Sequence, residues 1–171
     1  MGHSIAGFVA RKELLREGTR HLTHAVIASL AQGFGFLPAT DDLHDELGDG
    51  GAPHDELWRL SNGLARLGAE LSRGGPVAYV ETDYFGGTGD QAAMVWEDGK
   101  VIFGPSKSRI GAIHHALLRL GVEQGADDDC FDALGLNRHR HTDDWAEAAR
   151  EEVGATLSHG CSGGAQGSTE S

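Results

Sequence analysis

Residues 77–103 read VAYVETDYFGGTGDQAAMVWEDGKVIF, and their pattern decides the fold class. Two runs rich in β-branched and aromatic residues flank a glycine-rich break, and a third run follows the dipeptide Asp98-Gly99. Asp-Gly between apolar runs suits a type I′ turn, because both central residues take positive φ there. The stretch therefore predicts strands over residues 77–85, 91–96 and 100–103. A two-residue turn sets Trp96 opposite Val101 and Met94 opposite Phe103, which gives the hairpin an apolar face to bury.

The element that covers this face is written just upstream. Leu57, Leu60, Leu64, Leu67 and Leu71 recur at steps of three and four residues, laying a leucine stripe along one side of a helix. Asp55 is the expected N-cap and Gly74-Gly75 the expected stop. The stripe reads as core-facing; the alternative, a dimer seam, needs more heptads than are present.

Further toward the N-terminus, residues 4–10 suit a first strand, with Ile5 and Val9 on one side and Phe8 on the other. A short helix over residues 11–17 follows, ended by Gly18. Residues 24–36 alternate Val26, Ala28, Leu30, Phe34 and Phe36 with small residues, which fits a strand, although a helix through Leu30 fits as well. Pro38 stops regular structure, and residues 41–53 mix a helical turn with an acidic, glycine-rich loop.

Beyond the hairpin, Ile110, Ile113, Leu117 and Leu120 have helical spacing, with Gly121 as C′ residue. His114 falls near that stripe and His115 toward solvent. Thr142 is placed to cap a last helix whose first turn is acidic. The expectation is an α+β domain over residues 1–155, with an antiparallel sheet of about four to five strands packed against about three to four helices. Residues 156–171, rich in glycine and serine, are expected to form a disordered tail.

Composition narrows the function classes. A chain of 171 residues fits one domain and can bury a real core. Its 26 acidic and 14 basic residues leave a net charge of -12, a field that repels nucleic-acid backbones and attracts cations and basic proteins. Solubility alone also accounts for such a charge. The N-terminus lacks a secretion signal, no window is apolar enough to span a membrane, and Cys130 and Cys161 stand alone, so a reducing cytoplasm is expected.

Several groups could carry chemistry. Glu81 and Asp83 lie two apart on a strand and project from one face, about 7 Å apart at their bases. They could act as acid and base or hold a hard cation, or simply form a solvated strand edge. The following Gly86-Gly87-Thr88-Gly89 lacks the Lys-Ser/Thr of a phosphate-binding loop and reads as a connection between strands.

His139, His141, Asp143 and Asp144 form the densest ligand cluster in the sequence, and an HxH pair on extended backbone can bind a transition metal. Arg138 and Arg140 oppose a dication there, and the competing reading is a basic loop docked on acidic surface near Asp127–Asp129. His21 with His24, and His114 with His115, read as coincidences of one face. Neither Cys130 nor any serine sits in a nucleophile motif, so no catalytic residue is assigned, and nothing requires a cofactor.

ETDYFGGTGDQAAMVW with the following Asp-Gly turn, then AIHHALLRLGV and FDALGLNRHRHTDDW, resembles small uncharacterised bacterial proteins with the same strand–GGxGxQ–strand order. Some of these look like immunity proteins of toxin systems. The resemblance spans roughly residues 77–145 and implies no residue roles.

The leading expectation is a cytoplasmic, acidic protein-binding domain, such as an immunity-type inhibitor of a basic toxin or effector. Its contact residues are Glu81, Asp83, Tyr84, Phe85, Gly86, Gly87, Gly89 and Gln91. The alternative is a metal-binding protein or hydrolase using Glu81, Asp83 and the His139/His141 region with Asp143. A structural assembly module is a third class, and the oligomeric state is left open.

Overall fold

The computed structural model describes residues 2–85, 88–126 and 129–153; the expected tail, Gly86, Gly87 and residues 127–128 lie outside them. Seven strands form one sheet: β1 (Gly2–His3), β2 (Ala6–Arg11), β3 (Ala28–Ser29), β4 (Phe34–Pro38), β5 (Val77–Phe85), β6 (Thr88–Glu97) and β7 (Lys100–Ser108). Their order is β3-β4-β2-β5-β6-β7, and every strand pairing is antiparallel. β1 continues β2 along the same side of β5: Gly2 lies opposite Phe85 and Ala6 opposite Glu81, one unbroken register.

Six α-helices occur among the described residues: α1 (Lys12–Gly18), α2 (Asp41–Leu47), α3 (Asn62–Leu71), α4 (Ala112–Arg119), α5 (Cys130–Leu134) and α6 (residues 142–153). The fold is α+β as expected, with more strands and more helices than the sequence suggested. The excess comes from short elements, two-residue β1 and β3 and five-residue α5, which are too brief to impose a periodicity.

Helices cover both faces of the sheet, not one. Phe8, Tyr79, Met94 and Trp96 pack with Leu64, Leu67 and Leu71 of α3 in one core, while Val9, Val80, Val95, Ile113, Leu117 and Trp145 form the other. This explains why β2 and the first part of β5 are continuously buried runs instead of alternating ones. Ile5 and Val9 face the α4–α6 side and Phe8 the α1–α3 side, as their parity predicts.

The leucine stripe is buried throughout, but only its second half is helical. α3 begins at Asn62 with Ser61 as N-cap, its hydroxyl accepting the Leu64 N–H at 3.1 Å, so Asp55 caps nothing. Leu57 and Leu60 reach the same core from turns, each fully buried large side chain contributing about 1.5–3 kcal/mol. At Gly68 the helix lies so close to the sheet that a Cβ would stand 2.8 Å from the Trp96 ring and 2.9 Å from Phe8.

Other expectations shift in register. Asp98 and Gly99 take φ 55° and 80°, and Trp96 faces Val101, as a type I′ turn requires. Two bulges in β7 then set Phe103 opposite Val95 instead of Met94, and Phe103 packs on the α4–α6 side. Residues 24–36 do not form one strand: Gln32 at φ 62° turns the chain between β3 and β4. Ile110 is 85% exposed and outside α4, because the helix starts only at Ala112. Thr142 does not cap α6; it is the first helical residue, and its hydroxyl accepts the Ala6 N–H at 3.0 Å. No helix among the described residues is long and apolar enough to cross a membrane.

Candidate functional site

The β5–β6 hairpin carries the expected contact residues, and alternation along β5 divides them. Tyr79, Glu81, Asp83 and Phe85 share the α1–α3 side, whereas Tyr84 points to the opposite one. Glu81 is buried to 0% exposure beneath the connection that precedes α3. Its Oε1 accepts the Arg59 backbone N–H at 2.8 Å and the Tyr79 hydroxyl at 2.9 Å; Oε2 has no hydrogen-bond partner among the described residues. Burial pushes the Glu81 carboxyl above the usual carboxylate range, opposed by the Arg59 N–H, the Tyr79 hydroxyl, the Arg59 charge and the Trp58 N–H. Burial, then the Glu81 charge, pushes the Tyr79 hydroxyl well up in turn. Glu81 thus ties the 55–61 connection to the sheet and presents no surface to a partner.

Two residues on, Asp83 emerges into solvent. It lines a shallow cleft of about 270 Å³ together with Asp55, Trp58, Gly89, Asp90 and Lys107. The Lys107 ammonium lies 5.0 Å from the Trp58 ring centroid and 3.8 Å from Asp90 Oδ2, so the cleft already holds one cation between an aromatic face and a carboxylate. Phe85, one pleat beyond Asp83 on the same side, is 77% exposed. Gly89 keeps φ 147°, where a Cβ would collide with the Asp83 carbonyl oxygen; this position holds the two strands in close approach.

Tyr84 and Gln91 brace this end from within. The Tyr84 hydroxyl donates to the Arg109 carbonyl at 2.5 Å and accepts from Gln91 Nε2 at 2.9 Å. Gln91 Oε1 in turn accepts the Ile113 N–H at 2.8 Å, and Ser108 Oγ accepts the Ala112 N–H at 3.1 Å. These bonds satisfy free donors in the first turn of α4, whose N-cap Gly111 has no side chain to offer. The chain is thereby pinned where Ile110 projects, alongside the hairpin end that bears Phe85.

A second, larger cleft of about 580 Å³ lies between α2, residues 58–61 and the start of α6. His44, Asp41, Arg59, His141 and Asp143 line it. Burial holds the His44 imidazole below its ordinary value, against the opposing pull of Asp41 and Asp45. His139 is not part of this cleft: its ring packs edge-on against Trp145 at 4.7 Å, and the Arg138 guanidinium sits 5.0 Å from the same indole. Among the described residues no group of three or more His, Cys, Asp or Glu side chains is placed to hold a metal ion.

Arg138 of the basic loop donates to the Ser29 backbone carbonyl, and residues 127–128 of the acidic stretch expected to receive that loop lie outside the described residues. His114 Nδ1 accepts the Cys130 N–H at 3.1 Å and is half-buried, while His115 is exposed, as its spacing predicts. The Cys130 thiol is buried and pushed up by that burial, away from nucleophilic character.

The structure brings Asp83, Phe85 and Gly89 to one surface and withdraws Glu81, Tyr84 and Gln91 into supporting roles. It adds Asp55, Trp58, Asp90 and Lys107, which come from three separate segments. Lys107 is the most cryptic, since its reach to Trp58 depends on the bulged register of β7. Comparison of the chain with protein-family models, curated proteins and solved structures finds no match.

Proposed function

We propose that this protein binds a basic protein partner at the hairpin end, through the acidic cleft beside Phe85. The observation that carries this reading is the setting of Lys107, whose ammonium lies over Trp58 and near Asp90, with Asp55 and Asp83 lining the same cleft. A lysine or arginine of a partner meets the same chemistry there, an aromatic face bordered by carboxylates. Phe85 offers apolar contact area next to it, on backbone held by the Tyr84–Gln91 bonds. The net charge of -12 speeds encounter with a basic surface. An immunity-type inhibitor of a basic toxin or effector, working in a bacterial cytoplasm, fits this chemistry.

Affinity capture from the native host at low and high salt tests the reading. A basic protein should be retained at low salt, released by added salt and not retained by Asp83→Lys. Retention that salt and Asp83→Lys leave unchanged contradicts it.

A second reading is a metal-binding protein or hydrolase: His44, Asp41, His141 and Asp143 line the larger cleft, although no three such groups among the described residues are placed to hold a metal ion together. Asp83 lines the other cleft and Glu81 neither, so this version rests on the histidine side alone. Stoichiometric metal in purified protein, lost in His141→Ala, would support it. No bound metal, and no shift in melting temperature with zinc, manganese or calcium, would sink it.

A further inference from the structure

A third cavity among the described residues, larger than either of these clefts, takes no part in either reading. It has a volume of about 690 Å³ and lies between α1, the irregular residues 19–27 and the end of α6. Small-molecule sites commonly occupy about 300–1,000 Å³, so its size suits a compact ligand better than a protein segment.

Its charge runs against that of the whole molecule. The chain carries 26 acidic and 14 basic residues, yet Lys12, Arg16, Arg20 and Arg150 line this cavity with a single acid, Glu152. That acid is already engaged: it accepts from the Ser29 N–H and from the Ser29 hydroxyl at 2.8 Å, and lies 3.9 Å from Lys12. Arg20 is paired with Glu17 at 3.1 Å. Arg16 and Arg150, by contrast, make no hydrogen bond or ion pair among the described residues. Two uncompensated guanidiniums on one rim favour an anionic group, which they can meet with paired N–H donors.

The remaining wall is apolar. Leu22, Ala25, Val26 and Ile27 are half-buried on a segment without regular structure, and Val153 is 50% exposed on the facing helix. Partly exposed apolar side chains beside these cations match a molecule with an anionic head and a hydrocarbon body. The geometry points to a binding site for a small amphiphilic carboxylate, with its head between Arg16 and Arg150 and its chain along residues 22–27.

Titration of the full chain with decanoate, followed by calorimetry and by backbone amide shifts, tests this site. Saturable binding is expected, with the largest shifts in residues 22–27. Arg16→Gln/Arg150→Gln should weaken it by about tenfold or more, as should added salt in lesser degree, while Arg66→Gln on α3 leaves it unchanged. Both arginines are exposed and unpaired among the described residues, so the double variant should keep the wild-type melting temperature. Absence of saturable binding, equal binding of neutral decanol, shifts centred elsewhere, or a double variant that binds as tightly as wild type would each overturn the assignment.

Discussion

The Arg59 backbone N–H donates a 2.8 Å hydrogen bond to Oε1 of Glu81, joining the connection before α3 to the middle of the sheet. The carboxyl that accepts it is fully buried, and burial raises its proton affinity above that in the unfolded chain. A group whose folded value is raised contributes stability below its unfolded value, near pH 4.3 for glutamate, and loses it as pH rises through the folded value. Glu81→Gln removes this titration but keeps an oxygen for the Arg59 N–H. The unfolding free energy of the variant, relative to wild type, should therefore rise with pH above about 4.3. Denaturant titrations across pH 4–8 measure it, and a difference independent of pH contradicts the assignment.

Gly68 sits where α3 lies closest to Trp96 and Phe8. Gly68→Ala gains about 1 kcal/mol of helix propensity but forces a methyl group into contacts below 3.0 Å with two ring systems. Overpacking of this kind costs about 1–3 kcal/mol, so a net loss of stability is expected in chemical denaturation. A variant more stable than wild type would show that the helix can shift away from the sheet without cost.

Tyr84, Gln91 and the Ile113 N–H form a chain of hydrogen bonds from the hairpin to α4. Gln91→Ala leaves that N–H without its acceptor and should cost about 1–3 kcal/mol. Tyr84→Phe removes the other end of the same chain. A double-mutant cycle should give a coupling of at least about 0.5 kcal/mol, since the two side chains share one network. Strict additivity would mean that each acts on its own.

The elements legible in the sequence are those whose periodicity is long. The Asp98-Gly99 turn, the parity of Ile5, Phe8 and Val9, and the burial of all five leucines from Leu57 to Leu71 follow from spacing. The start of α3 does not, because a leucine can reach the core from a turn as well as from a helix, as Leu57 and Leu60 do. Nor does the burial of Glu81: alternation set it on one face with Asp83 as an expected contact residue, but the group that covers it is a loop with no pattern of its own. Asp83 and Phe85 could be read as surface residues, whereas Asp55, Trp58 and Lys107 reach the same cleft only through that loop and the bulges of β7.

The most direct test of the hairpin end as the contact surface is a double substitution, Phe85→Asp/Ile110→Asp, assayed for folding and capture in one preparation. Both side chains are largely exposed, at 77% and 85%, and neither belongs to a core. Stability should stay within about 0.5 kcal/mol of wild type, as for surface substitutions generally. Capture of the basic partner from the native host should be lost. A folded double variant that retains the partner at the wild-type level would contradict the account.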